Sequence, residues 1–250
     1  MSTLTDAERA TYEWQLGIPD FGEAGQAKLR NATALISRCG GLGGPLAYNL
    51  AGAGIGRLIV AHGGDLQASD LNRQVLMTHD WIGKPRVESA ARRLKELNPR
   101  LDIECVPENI SEANASDLVA KADIVFDCAP LFSERFAMNK ECVRQRKPMV
   151  DCAVFSMEGQ VMTVLPGRTA CLSCLYPEAP PGWKRQFPIF GAVSATAAAI
   201  GAMEGIKLVS GMGVSLAGML LYFDLGSMAF RKIPVERRAD CPICGGVDDV

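Results

Sequence analysis

The sequence predicts an α/β fold, a doubly wound and mainly parallel sheet with an antiparallel C-terminal extension. Three observations predict it. Short apolar runs alternate with helical patterns over the first 150 residues, a glycine-rich turn separates the first such run from its helix, and the alternation stops after residue 151. At 250 residues with a net charge of −2, one large domain is expected.

Thr33–Ser37 reads as a strand leading into Gly40-Gly41-Leu42-Gly43-Gly44. Leu46, Ala47, Leu50, Ala51 and Ala53 then repeat at helical spacing up to Gly54, and Arg57–Ala61 reads as the next strand. Strand, glycine turn, helix and strand open a Rossmann-like sheet. A helix is expected over 85–97, closed by Asn98-Pro99, then a strand over 101–106 and a helix over 111–121. The strand Asp123–Cys128, a helix over 132–145 and the strand Pro148–Asp151 complete this half. Beyond it, Gln160–Leu165, Met219–Asp224 and Ala229–Ile233 read as strands, the last two close enough to pair antiparallel. Between Tyr176 and Phe190, Pro177, Pro180, Pro181, Gly182 and Pro188 force a long loop, a lid or contact surface. One domain over 1–250 is expected, with a helical arm (1–32), a half built on the glycine turn (33–151) and an antiparallel half (152–250).

Cys171-Leu-Ser-Cys174 and Cys241-Pro-Ile-Cys244 are the strongest chemical signal. Each short hook presents two sulfurs from one side, and two hooks supply the four thiolates of tetrahedral zinc. Four protein ligands leave no open position, so the site is structural and clips the chain end back near residue 171. Two separate redox hooks, or unpaired core cysteines, are the other readings. Cys39, Cys105, Cys128, Cys142 and Cys152 lie in apolar runs and read as small buried hydrophobes. Nine cysteines argue against a complete disulfide framework and for a reducing compartment. No basic stretch precedes an apolar one at the N-terminus, so a cytoplasmic protein is expected. Gly191–Val209 is apolar but carries Glu204 and Lys207 and reads as a buried helix rather than a membrane span. Met203, Met212 and Met219 read as core filler, and His79 as a surface or loop histidine. Without a basic block, neither nucleic acid nor a membrane is an expected partner.

A glycine turn lets backbone N–H groups approach phosphates at a helix N-terminus. The six-residue dinucleotide fingerprint would start at position 38, which is arginine, and the second strand ends in Ala61-His62 with no ribose-binding acid, Asp65 lying beyond it. Both features count against a nicotinamide cofactor. Arg73, Lys84 and Arg86 fall where the chain returns to the carboxyl edge of the sheet and can converge on phosphates; a solvated basic face is the alternative.

Taken together, the glycine turn, Ser69-Asp-Leu-Asn-Arg-Gln74, Gly83-Lys-Pro-Arg-Val87 and Leu97-Asn-Pro99 occur in a distinctive order. With them go Cys171-Leu-Ser-Cys-Leu-Tyr-Pro177, a Gly-Ala-Val helix ending in Glu204-Gly-Ile-Lys-Leu208 and Cys241-Pro-Ile-Cys-Gly245. This set, spanning about 12–246, resembles the MoeB/ThiF/HesA family, bacterial relatives of ubiquitin-activating enzymes. Its wording is most like the HesA branch, associated with nitrogen-fixation gene clusters. The resemblance implies a homodimer that binds ATP and magnesium and joins a carboxylate to the α-phosphate, releasing pyrophosphate. The carboxylate is usually the Gly-Gly end of a ubiquitin-like sulfur-carrier protein, with a small acid or a metallocofactor-assembly partner as further options. By this resemblance Gly41 approaches the nucleotide, Asp70 and Arg73 lie along it, and Arg86 takes the place of a catalytic lysine. The candidate set is therefore Gly40, Gly41, Gly43, Asp70, Arg73, Lys84 and Arg86 for the nucleotide, with Arg73 and Arg86 catalytic.

The sequence departs from the family at Trp14 (for a phosphate-binding arginine), Arg38 (for the first glycine), His62 (for the ribose aspartate) and Asp70 (for asparagine). Pro130 stands for the magnesium aspartate. No cysteine in Gln186–Val193 offers thioester capture. Alternative readings are a catalytically degenerate scaffold of the same fold and a heterodimer with an active homologue. A zinc-containing nicotinamide oxidoreductase is the most distant.

Overall fold

The computed structural model describes residues 4–247; the outermost ends of the expected arm and of the antiparallel half lie outside this range. Helices α1 (Asp6–Leu16) and α2 (Gly22–Asn31) form the arm. The chain then runs β1 (Thr33–Ser37), α3 (Gly43–Ala53), β2 (Arg57–Ala61), α4 (Arg86–Leu97), β3 (Asp102–Val106), α5 (Ala115–Ala120), β4 (Ile124–Asp127) and α6 (Phe132–Arg144). It continues through β5 (Met149–Phe155), β6 (Glu158–Val164), α7 (Leu172–Leu175), α8 (Gly191–Ser210), β7 (Met219–Asp224) and β8 (Ala229–Pro234).

All eight strands form one sheet in the order β3-β2-β1-β4-β5-β6-β7-β8. The first five in that order are parallel, and β6, β7 and β8 are antiparallel. The order reverses between β1 and β4, so a crevice opens outside their carboxyl ends. One core, under α3, α4 and α8, holds Ile36, Leu46, Leu58, Phe126 and Val150; the other, under α5 and α6, holds Leu35, Ile59, Val125 and Met149. Alternate residues of each strand thus enter opposite cores.

Two boundaries and two burial assignments differ from the sequence reading. The helix expected over 111–121 is α5 alone, because Ser111 and Asn114 close a turn, the Ser111 N–H donating to Asn114 Oδ1 at 2.8 Å. Strand β5 runs four residues past Asp151, since the hairpin partner β6 pairs its backbone as far as Phe155 with Glu158. The outer face of β3 leaves Cys105 exposed, and Met203 is 40 % exposed on the outward side of α8, so neither belongs to the core. His79 is exposed, as expected.

Helix α8 reaches membrane-spanning length and hydropathy, yet it lies along β5 and β6 with Val193, Ala197, Ala198 and Ala202 in the core. Its buried Glu204 accepts from Thr163 Oγ1 at 2.7 Å and the Leu216 N–H at 2.6 Å, and it is paired to Lys207. Such side-chain matching to the sheet belongs to a core helix.

Candidate active site and metal centre

A cavity of about 690 Å³ fills the crevice at the β1/β4 reversal. Its floor is the turn Gly40-Gly41-Leu42, one wall holds Asp70, Arg73 and Arg86, and the lid is the segment from Trp183 to Ile189. The turn is tight. A Cβ on Gly43 would sit 1.8 Å from the Arg38 carbonyl oxygen, and one on Gly41 would lie 3.1 Å from Arg73 Cγ. Gly40 and Gly41 line the cavity, whereas Gly43 serves the turn rather than the hollow.

Asp70 ties the basic wall together. It is buried, and its Oδ2 accepts from Arg86 Nη2 at 2.6 Å, Arg86 Nε at 3.1 Å and the Gln67 N–H at 3.0 Å. Its Oδ1 accepts from Gln74 Nε2 at 2.7 Å and Arg73 Nη2 at 3.3 Å. Arg86, the first residue of α4, is itself buried, while Arg73 keeps about a third of its side chain open. A carboxylate between two guanidinium groups holds both in place without water having to reorganise around them. Lys84 does not join them: its ammonium lies over the Trp81 ring, bonded to the Asp80 carbonyl, away from the cavity.

The departures from the family pattern form contacts of their own. Arg38 adopts φ +66°, the left-handed region that glycine takes at low cost. Its buried guanidinium grips buried Glu134 of α6 through two bonds, Nε to Oε2 at 2.8 Å and Nη2 to Oε1 at 2.5 Å. His62 Nδ1 accepts the Cys39 N–H at 3.1 Å, which leaves the ring proton on Nε2. Burial, reinforced by the charges of Arg38, Arg86 and Arg185, depresses the His62 imidazole to about 2, so the ring is neutral at ordinary pH. Arg135 joins Asp127 of β4 to Asp151 of β5, its Nε donating to Asp127 Oδ2 at 3.2 Å and its Nη2 to Asp151. Burial raises the Asp127 carboxyl above the usual range, against the pull of Arg135. Pro130 receives the lid, its carbonyl accepting Trp183 Nε1–H at 2.7 Å. Trp183 packs edge-on to Phe132 at 5.6 Å and tilted to Phe187 at 5.6 Å.

These carboxylates do not fit magnesium. Asp70 is saturated by cationic and amide donors, Asp127 and Asp151 share Arg135, Glu134 holds Arg38, and a proline side chain offers no oxygen ligand. Sequence reasoning placed Gly40, Gly41, Asp70, Arg73 and Arg86 together and missed Glu134, Arg135, Trp183 and Arg185. The arginine at a glycine position marked the turn as unusual, but no local pattern pointed to Glu134 as its partner.

The four paired cysteines converge on the other side of the sheet, among the residues under α6, and none lines the cavity. Their sulfurs lie within 4.8 Å of one another, with Cys171 to Cys241 at 3.7 Å and Cys174 to Cys244 at 3.4 Å. Zinc–thiolate bonds of about 2.3 Å in a tetrahedron put sulfurs about 3.8 Å apart, so the set fits that ion. Buried Asn139 fixes the first hook, its Oδ1 accepting the Leu172 N–H at 2.9 Å and its Nδ2 donating to Ser173 Oγ at 3.2 Å. The Arg238 N–H points at Cys174 Sγ from 3.4 Å. Such outer hydrogen bonds orient a thiolate ligand set.

The profile described as the ThiF family matches residues 12–243. Protein HesA, heterocyst, of Trichormus variabilis is 47% identical over 245 residues, covering 98% of this chain and 92% of that protein. The adenylyltransferase and sulfurtransferase MOCS3 of Drosophila yakuba is 38% identical over 246 residues, 96% of this chain and 54% of its own length. Among solved structures, E. coli MccB with AMPCPP and MccA superposes with a TM-score of 0.78 at 27% identity, covering 89% of this chain and 69% of that one.

Proposed function

The chain belongs to the ThiF family, and from that premise we propose that it activates a carboxylate by adenylation with ATP. The observation that carries the reading is the cavity at the sheet reversal, with the glycine turn on one side and the Asp70-held pair Arg73 and Arg86 on the other. In this reaction a carboxylate oxygen attacks the α-phosphorus, the bond to the bridging oxygen of the β-phosphate breaks, and pyrophosphate leaves. The turn supplies N–H groups for phosphate oxygens, and the two arginines meet charge that shifts onto the leaving group. Arg86, already desolvated and oriented, needs no reorganisation as that charge develops. His62 offers a neutral Nε2–H donor near the turn where an acid would repel phosphate.

The acyl substrate in this reading is the C-terminus of a ubiquitin-like sulfur carrier or a small acid, activated for sulfur or metallocofactor assembly. Likeness to a protein named HesA, heterocyst, and to one named adenylyltransferase and sulfurtransferase supports this choice. Zinc at Cys171, Cys174, Cys241 and Cys244 is structural, and the working unit is a homodimer. Carboxylate-dependent exchange of labelled pyrophosphate into ATP tests the reaction; no exchange with any carboxylate, Gly-Gly peptides included, counts against it.

One observation favours a second reading. Pro130 gives its carbonyl to Trp183, and among the described residues the carboxylate that lines the cavity, Asp70, is held by Arg73 and Arg86 rather than open to a metal ion. A non-catalytic scaffold of the same fold would look like this. Such a scaffold binds a protein partner without binding ATP, which calorimetric titration distinguishes.

A further inference from the structure

Five arginines line the cavity: Arg38, Arg73, Arg86, Arg135 and Arg185. Four of them are spoken for. Arg38 pairs with Glu134, Arg73 and Arg86 with Asp70, and Arg135 with Asp127 and Asp151, so these walls hold as many carboxylates as guanidinium groups. Arg185 has no carboxylate partner among the described residues and is the surplus positive charge of the site.

The lid holds it there by both flanks. Two residues before it, Trp183 is bonded to the Pro130 carbonyl and packed on Phe132. Two residues after it, Phe187 packs on Phe155 at 6.0 Å, and the Ser156 N–H donates to the Pro188 carbonyl at 2.8 Å. Arg185 is thus suspended over the hollow on a short span pinned at each end, exposed yet facing in. After burial and the charges of Arg38 and Arg86, its charge adds the smallest share to what keeps the His62 ring neutral. Trp14, at the position where the resemblance places a phosphate arginine, is 94 % exposed and does not line the cavity.

We propose that Arg185 is a phosphate-binding residue of the lid, taking the polyphosphate of a nucleoside triphosphate from above while Arg73 and Arg86 hold it from the wall. The proposal rests on the adenylation reading given above. A guanidinium free of carboxylates and fixed at its base is suited to bind phosphate oxygens in pairs, and a salt-bridged one has less to offer. The lid then closes the charge balance of the site as well as excluding water.

Calorimetric titration of the full chain and of R185A and R185K with ATP, inorganic tripolyphosphate and adenosine tests it. R185A is expected to bind ATP and tripolyphosphate at least about tenfold more weakly, the loss of one hydrogen-bonded charge, with adenosine affinity and melting temperature unchanged. R185K, keeping the charge without the fork, should fall between. The wild type should also show the steeper loss of tripolyphosphate affinity with salt. ATP binding by R185A equal to wild type overturns the proposal and leaves adenylation standing. Equal losses for ATP and adenosine also overturn it, because Arg185 would then shape the lid rather than take phosphate. A wild type that binds no ATP overturns both the proposal and the reading beneath it.

Discussion

Removing the Asp70 carboxylate should expose how much of the basic wall depends on it. In the Asp70→Ala protein, Arg86 keeps its burial and loses two hydrogen bonds, at 2.6 and 3.1 Å, leaving only the Gly63 carbonyl at 3.5 Å. The Gln67 N–H and Gln74 Nε2 lose their acceptors as well. Deleting one partner of a buried ion pair costs about 3–5 kcal/mol, because the surviving charge is left without compensation. Asp70→Asn keeps the volume and one acceptor oxygen but turns an amide toward donors on one side. Its cost should be near about 1.5–3 kcal/mol, the worth of one hydrogen bond to a charged group. Urea denaturation at neutral pH, with m-values compared, measures both. The expected order of stability is wild type, then Asp70→Asn, then Asp70→Ala. A loss below about 1 kcal/mol for Asp70→Ala would show that Arg86 finds solvent or another partner easily, and would refute the argument that Asp70 positions it.

Freshly purified protein should carry about one zinc per chain, and Cys174→Ser should release it and lower the melting temperature; substantially less than one zinc per chain in the wild type removes the metal assignment. His62 makes stability depend on pH. The unfolded imidazole takes a proton near 6.5 and the folded one only near 2, so the unfolded state binds more protons in that interval and stability falls as pH drops below about 6.5. By pH 5.5 this single group costs about 1.4 kcal/mol, and His62→Gln should flatten that part of the profile. An identical slope in the variant would place the titrating group elsewhere.

Much of the fold was legible because its signals are local. The Gly40–Gly44 turn, the apolar runs of β1, β2 and β4 and the closing Gly54 each fix an element by spacing and backbone preference. The extension of β5 was not legible, since residues 152–155 become strand only through pairing with β6. At the site, residue identities were readable and partnerships were not. Asp70, Arg73 and Arg86 read as three ligands for one nucleotide, and the structure makes the first the clamp for the other two. Arg38 and Glu134 stand 96 residues apart in sequence, a separation across which no pattern speaks. Lys84 stands only two residues before Arg86, yet it lies in the turn ahead of α4, its N–H bonded to the Trp81 carbonyl and its ammonium over the Trp81 ring, while Arg86 opens the helix and points inward to Asp70. The Trp183 latch on Pro130 explains why a proline is tolerated there: its carbonyl, not its side chain, makes the contact.

Isotope transfer asks the central question without an intermediate having to accumulate. A candidate carboxylate labelled with ¹⁸O in both carboxyl oxygens is turned over with ATP and the AMP is weighed by mass spectrometry. If a carboxylate oxygen attacks the α-phosphorus, AMP acquires one labelled oxygen, and pyrophosphate acquires none. AMP formed without label, or ADP in place of AMP, would contradict carboxylate adenylation.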